Sequence, residues 1–312
     1  VLLVVGNTTT LNASDAALKA RFEALGFPVT VQLGSATVAN DANGKALVWA
    51  SASTPNVDIG SKFLNKGIPV VIQTAGSVDD MGMTPDDSAS RGSAAGQSQA
   101  TVTAPLNWMA AGLSGTLLTS NAPGNYDWGL PAAAAQKVAA MPSLPTQSTL
   151  FAYAAGATMS SGLPAAGRRL FFGYQDATTL SIAGWRLFDQ AVLWLASKNG
   201  APIVNAGSDQ TLAWSSPSVV ASLSGVIVDD GLPSGGVLAT SWAALSGPVT
   251  VAFGSATAPS TTATFTAPGD YVLKLSATES VTAGPQPVSW TSGVGVAISG
   301  ATLTKTASTA AW

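Results

Sequence analysis

The chain has 312 residues, 46% of them apolar and 9% charged, with 35 Ser, 32 Thr, 32 Gly and a formal net charge of −3. It contains no His and no Cys. These zeros exclude Ser-His-Asp and Cys-His nucleophiles, thiolate- or imidazole-based zinc and iron sites, and disulfides. The small negative charge argues against nucleic acid as a partner, since phosphate binding needs clustered Lys and Arg. Nine Trp, nine Phe and four Tyr supply enough large apolar side chains to anchor cores.

Charge marks a boundary near residue 200. Residues 1–200 hold 11 basic and 11 acidic side chains, whereas residues 201–312 hold Lys274 and Lys305 against Asp209, Asp229, Asp230, Asp270 and Glu279. Lys198-Asn199-Gly200-Ala201-Pro202 carries connector chemistry at the same place. The sequence therefore divides into an α/β domain over 1–199, a second domain over 203–298, and a tail or extra strand over 299–312.

In the first domain, Val1–Val5 is an all-apolar run of the kind found in a strand covered on both faces. Asn12 or Ser14 caps a following helix in which Leu18, Phe22 and Leu25 recur at helical spacing, and Gly26 ends it. Pro28–Val31, Ala46–Ala50 and Ile68–Ile72 read as further strands, with a short helix over Val57–Asn65. Leu150–Tyr153 and Arg169–Phe172 read as strands, and Ile182, Trp185, Phe188, Val192 and Leu195 form the apolar stripe of a closing helix. This alternation predicts a mostly parallel sheet with helices on both faces.

The second domain changes pattern to short strands separated by Gly, Pro and Ser: Ser218–Leu223, Leu238–Trp242, Val249–Phe253, Thr261–Phe265, Tyr271–Leu275 and Gly293–Ile298. Closely spaced strands with turn signals predict an antiparallel β-sandwich with Trp242 as core anchor. Residues 231–269 carry no charge, but Gly, Pro, Ser and Thr interrupt them too often for a membrane span. The chain begins on an apolar run without Met, which leads to the expectation that an upstream signal has been removed.

Two resemblances follow from these motifs. Val204-Asn205-Ala206-Gly207-Ser208-Asp209, Val228-Asp229-Asp230-Gly231, Ser241-Trp242 before Ser246-Gly247-Pro248, Thr261–Phe265 and Pro268-Gly269-Asp270-Tyr271-Val272-Leu273-Lys274-Leu275 resemble PKD-like (polycystic-kidney-disease-type) immunoglobulin-like modules. The sequence departs from that pattern at Ala277-Thr278-Glu279-Ser280, where such modules often carry Asp-Gly. Val1-Leu2-Leu3-Val4-Val5-Gly6-Asn7, Asp79-Asp80-Met81-Gly82-Met83-Thr84 and the closing helix are similar to the flavodoxin-like class I glutamine-amidotransferase and ThuA-like group. The strand-to-helix elbow where amidotransferases carry their Cys corresponds to Gln73-Thr74-Ala75-Gly76-Ser77, so that activity does not transfer. The first resemblance implies an extracellular spacer or adhesive module.

Candidate sites are few. Asp79, Asp80, Asp86 and Asp87 follow a strand end and offer oxygen ligands for Ca²⁺, a carboxylate pair, or turn caps. Asp209, Asp229, Asp230 and Asp270 offer a second Ca²⁺ site if the sandwich strands bring them together. Gly6-Asn7-Thr8-Thr9-Thr10 is either an anion-binding loop or a plain turn, and lacks the P-loop Lys. Trp108, Trp128 and Trp290 lie outside the clearest periodic segments. Trp128, beside Asn125-Tyr126-Asp127, is the candidate platform for a sugar ring or a residue buried under a loop. Arg168-Arg169 reads as an ion-paired strand edge rather than a phosphate site. Ala301–Thr306 has strand character and offers edge pairing to another subunit.

The resulting expectation is a non-catalytic extracellular or cell-surface structural or adhesive protein, self-associating or binding other surface proteins. The alternative is a polysaccharide-binding or carbohydrate-processing module, since a glycosidase can work with two carboxylates and no His.

Overall fold

The computed structural model describes residues 1–232, 236–280, 289–299, 302–304 and 307–308, with side chains as far as Glu279. The chain divides into two compact units, Val1–Lys198 and Asn199–Trp312. It is a mixed α/β protein with one mixed sheet and several antiparallel ones.

In the first unit the strands are β1 (Leu2–Val5), β2 (Thr30–Leu33), β3 (Val48–Ala50), β4 (Val70–Ile72), β5 (Arg91–Gln97), β6 (Gln99–Val102), β7 (Gly115–Leu118), β8 (Gly124–Gly129), β9 (Gln136–Met141), β10 (Leu144–Tyr153) and β11 (Arg169–Phe172). The helices are α1 (Ala13–Ala24), α2 (Asn56–Ile59), α3 (Ala75–Val78) and α4 (Ile182–Leu195). The main sheet runs β2-β1-β3-β4-β11-β10-β9-β6-β7, and β8 joins it through β10 with β5 on its far side. Strands β2, β1, β3, β4 and β11 are parallel. From β10 onward every pairing is antiparallel.

The mostly parallel expectation therefore holds for one half of the sheet and fails for the other. The failure lies between residues 91 and 153, where Arg91–Gln97 (RGSAAGQ) and Gly124–Gly129 (GNYDWG) become strands by pairing antiparallel with each other although β6 and β7 separate them in sequence. Neither is rich in β-branched residues or cleanly alternating, so cross-strand partners rather than local preference make them strands.

Successive residues of the central strands serve two cores, as a period of two requires. Leu3, Val5, Trp49, Val71, Leu170 and Phe172 pack on one face with Leu18 and Phe22 of α1 and Leu187, Phe188, Val192 and Leu195 of α4. Leu2, Val4, Val48, Val70, Ile72 and Phe171 pack on the other with Ile59, Phe63, Val78 and Met81. Asn12 caps α1, its side chain accepting from the Asp15 amide at 2.7 Å, and Gly26 leaves the helix at φ 81°. Ser181 caps α4. The stripe on α4 begins one turn later than expected, since Ile182 is 77% exposed.

The second unit contains β12 (Ile203–Asn205), β13 (Val219–Ser224), β14 (Val226–Val228), β15 (Val237–Ser246), β16 (Ala252–Phe253), β17 (Ser260–Phe265), β18 (Asp270–Ser280), β19 (Ser289–Ser299), β20 (Thr302–Thr304) and β21 (Ala307–Ser308). They form antiparallel sheets β12-β14, β13-β17-β16 and β15-β18-β19-β20, with β21 also on β19. Ala221, Leu223, Ala263 and Phe265 from one sheet share a core with Trp242, Tyr271, Leu273 and Leu275 from another. Along β18, buried Tyr271, Leu273 and Leu275 alternate with half-buried Val272, Lys274 and Ser276. The tail segment Thr302–Thr304 pairs with β19 of its own chain.

Candidate functional site

Strand β1 lies between β2 and β3, so the chain leaves the carboxyl end of β1 in one direction and that of β3 in the other. Open α/β sheets form a crevice at such a reversal of strand order. Here it is walled by Ser53. The Gly6 amide donates to Ser53 Oγ at 2.9 Å, and Ser53 Oγ donates to Asp15 Oδ2 at 2.6 Å. A side chain at Gly6 would lie 2.2 Å from the Ser53 carbonyl oxygen, so only glycine allows this approach. Two adjoining clefts result, of about 390 and 400 Å³, sharing Ala52, Ser53 and Gln175 as a common wall.

The first cleft extends to the end of β4. Gln73 is buried there, its Oε1 accepting from Trp49 Nε1 at 3.0 Å and the Ala52 amide at 3.1 Å, while its Nε2 donates to the Tyr174 carbonyl at 2.7 Å. Thr74 is in ordinary extended conformation (φ −119°, ψ 142°), and its hydroxyl donates to Asn56 Oδ1 at 2.8 Å. The strand-to-helix position therefore holds an amide spent on structural hydrogen bonds, followed by a hydroxyl on unstrained backbone.

Asp127 of β8 lies at the same cleft with only 3% exposure. Its carboxylate accepts from the Ala75 amide at 2.5 Å, from Gln175 Nε2 at 2.6 Å, and from the Ser93 hydroxyl. Burial pushes its pKa above the ordinary carboxylate value, and these three bonds pull back against it. In the second cleft stand Asp15 from the first turn of α1 and Asp176 at the cap of the turn Ala177–Thr179. The sequence reading missed all three of these carboxylates. Isolated Asp residues on three distant segments carry no spacing signal, and only the adjacency of Tyr126-Asp127-Trp128 marked the region at all.

The acidic residues singled out from sequence have other partners. Asp79 makes an ion pair with Arg91 at 2.6 Å; burial, the largest influence, raises its pKa and Arg91 opposes this. Asp87 closes a turn, accepting from the Ala89 amide at 2.9 Å and the Ser90 hydroxyl at 2.8 Å, bonds that hold its pKa below the ordinary value. Asp80 and Asp86 are exposed. In Gly6–Thr10, Asn7 Oδ1 accepts from the amides of Thr9 and Thr10, so two of the loop's donors are consumed by its own side chain.

Trp128 is half-buried against the core, its ring lying over Gly92 of the facing strand, and Trp108 is 6% exposed. Among the described residues, no Trp lines either cleft. The side chain of Trp290 lies outside the described residues.

The expectation of an ion pair is corrected for Arg169. Arg169 is fully buried and donates to five backbone carbonyls, those of Phe63, Leu64, Lys66, Ile68 and Arg168, rather than to a carboxylate. The guanidinium of Arg168 lies over the Trp194 ring and donates to the Trp194 carbonyl.

In the second unit Asp209 and Asp270 are exposed. Asp230 binds the Gly200 amide at 2.8 Å and the Leu232 amide at 2.8 Å, and Asp229 Oδ2 accepts from the Gly231 amide at 3.0 Å. Glu279, 8% exposed, accepts from Asn199 Nδ2 at 2.9 Å. Burial raises the Glu279 pKa first, Asn199 opposes, and the charges of Asp229 and Asp230 add to the rise. Glu279, the residue that breaks the motif expected at this point, thus stands within the electrostatic influence of Asp229 and Asp230. Among the described residues, no three His, Cys, Asp or Glu form a group that could hold a metal ion. The sets Asp79, Asp80, Asp86, Asp87 and Asp209, Asp229, Asp230, Asp270 are therefore not gathered as ligand clusters.

No family model matches the chain. Among the described residues, no helix is long and apolar enough to cross a membrane.

Proposed function

We propose that the chain is a non-catalytic extracellular structural or adhesive protein, in which a flavodoxin-like, ThuA-like α/β body carries a PKD-like, immunoglobulin-like module that self-associates or docks on other surface proteins. The observation that carries this reading is the end of β4. In Gln73–Ser77, the segment that by resemblance corresponds to the amidotransferase elbow, Gln73 spends both ends of its amide on Trp49, Ala52 and Tyr174. That use of the position suits a scaffold, since a nucleophile needs a free atom beside a base.

Two further features support association. The uncharged stretch 231–269 offers little repulsion between copies. Val237, Leu238, Leu245 and Val249 stand 37–58% exposed within it. The polysaccharide alternative is the weaker one, because neither cleft has an aromatic platform among the described residues.

Light scattering of the full chain across a concentration series, with and without Ca²⁺, tests the proposal. Mass that grows with concentration is the expected result. A monomer under every condition refutes self-association, and turnover of an ester or glycoside that is lost on changing Asp127 refutes the non-catalytic reading.

A further inference from the structure

The joined clefts at the ends of β1, β3 and β4 have a chemistry that the structural role does not use. Together they hold Asp127, Asp15 and Asp176, and neither lining includes a Lys, an Arg or an aromatic residue. Asp15 is 2% exposed. Its Oδ2 accepts from Ser53, whereas its Oδ1 accepts no hydrogen bond among the described residues and belongs to a side chain that lines the second cleft. Buried carboxylates are normally paired with a cation or saturated with donors. Asp127 meets the second condition with three donors, and Asp15 meets neither.

The rest of the second cleft consists of small polar groups: Asn12, Ser14, Asn125 and Gln175. Several are already engaged. Asn12 Oδ1 caps α1, and Ser14 Oγ accepts from the Ala177 amide at 2.9 Å. Asp176 Oδ1 accepts from Thr178, leaving its other oxygen for solvent or ligand. A site of about 400 Å³ is at the small end of the range for small-molecule pockets. Its charge opposes phosphate or carboxylate ligands, and its lack of aromatic faces removes stacking as a source of affinity for sugars or bases.

We propose that these clefts bind a small organic amine, with its ammonium group donating to the free Oδ1 of Asp15 and the carboxylates of Asp176 and Asp127 completing a negative field around it. The polar atoms of Asn12, Asn125 and Gln175 suit hydroxyl or further amino groups on the ligand. The binding is independent of the proposed extracellular role and of any self-association.

Isothermal calorimetry and thermal melting of the full chain, with ethanolamine and 1,4-diaminobutane as probes, test the inference. Glucose, inorganic phosphate and Ca²⁺ are the comparison ligands. The expected result is heat and a raised melting temperature with one or both amines, and an affinity reduced about tenfold or more by Asp15→Asn, which keeps the shape and can still accept from Ser53. Asp209→Asn, on the exposed surface of the second unit, leaves binding unchanged. If Asp15→Asn does not fold, Asp176→Asn serves instead, because Asn can keep the cap, and it lowers amine affinity severalfold. Folded protein that gives no heat with either amine overturns the proposal. So does amine binding unaffected by the carboxylate variants, or a response confined to glucose, phosphate or Ca²⁺.

Discussion

Replacing Arg169 with Met removes a buried cation while keeping an unbranched side chain of similar length. Two opposing terms decide the outcome. The carbonyls of Phe63 and Arg168 keep other donors, the Lys66 amide at 3.1 Å and the Val70 amide at 3.0 Å. Those of Leu64, Lys66 and Ile68 depend on the guanidinium, at 2.9, 2.6 and 3.1 Å. Three orphaned acceptors at about 1–3 kcal/mol each cost about 3–9 kcal/mol. Against this, burial lowers the Arg169 pKa to about 10. The corresponding penalty on the charged form, about 3 kcal/mol, is relieved by the substitution. The net loss is about 0–6 kcal/mol, and at its midpoint of about 3 kcal/mol the first unit melts about 6–12 °C lower at about 2–4 °C per kcal/mol for a unit of this size. Calorimetry of the full chain reads this as a shift in the transition assigned to the first unit. A variant as stable as the parent would show that water satisfies these carbonyls, refuting the view that Arg169 holds the 63–68 segment.

Trp242→Ala empties the centre of the second unit's core, where the indole is 4% exposed and donates to the Pro259 carbonyl at 3.0 Å, and costs about 3–5 kcal/mol in denaturant titration. Gly173→Ala brings a Cβ within 2.0 Å of the Asp127 carbonyl oxygen, and the strain lowers first-unit stability by about 1–3 kcal/mol or more, read in the same way. In the second unit, Asp229 and Glu279 have raised pKa values, mainly through burial. Such acids bind protons more readily when folded, so their stabilising effect is complete below the unfolded carboxylate pKa and is lost as pH rises through the folded value. Their contribution to second-unit stability therefore increases on acidification from neutral pH, and Glu279→Gln flattens that dependence in melting experiments across pH. An unchanged profile in that variant would assign the dependence elsewhere.

The first-unit strands that could be read from sequence are those whose composition alone requires burial. Val1–Val5, Ile68–Ile72 and Arg169–Phe172 have little to expose, so they must lie between two covered faces, and Asn12 and Gly26 bracket α1 by local chemistry. In the second unit, the alternation of Tyr271, Leu273 and Leu275 with Val272, Lys274 and Ser276 fixed which side faces the core before any partner strand was known. Loss of charge after residue 200 marked the change of architecture.

Tertiary structure decided what depends on partners far away in sequence. β5 is a strand because β8 lies beside it, and Arg169 is a carbonyl clamp because the 63–68 segment wraps it. The same holds for the clefts. Asp15, Ser53, Asp127 and Gln175 belong to separate segments and meet only where the strand order reverses. Meanwhile the conspicuous runs Asp79-Asp80 and Asp86-Asp87 settle into an ion pair, a turn and open solvent. Composition and periodicity report how a segment meets water, a local property. The convergence of single polar groups depends on chain topology, and a one-dimensional pattern does not carry it.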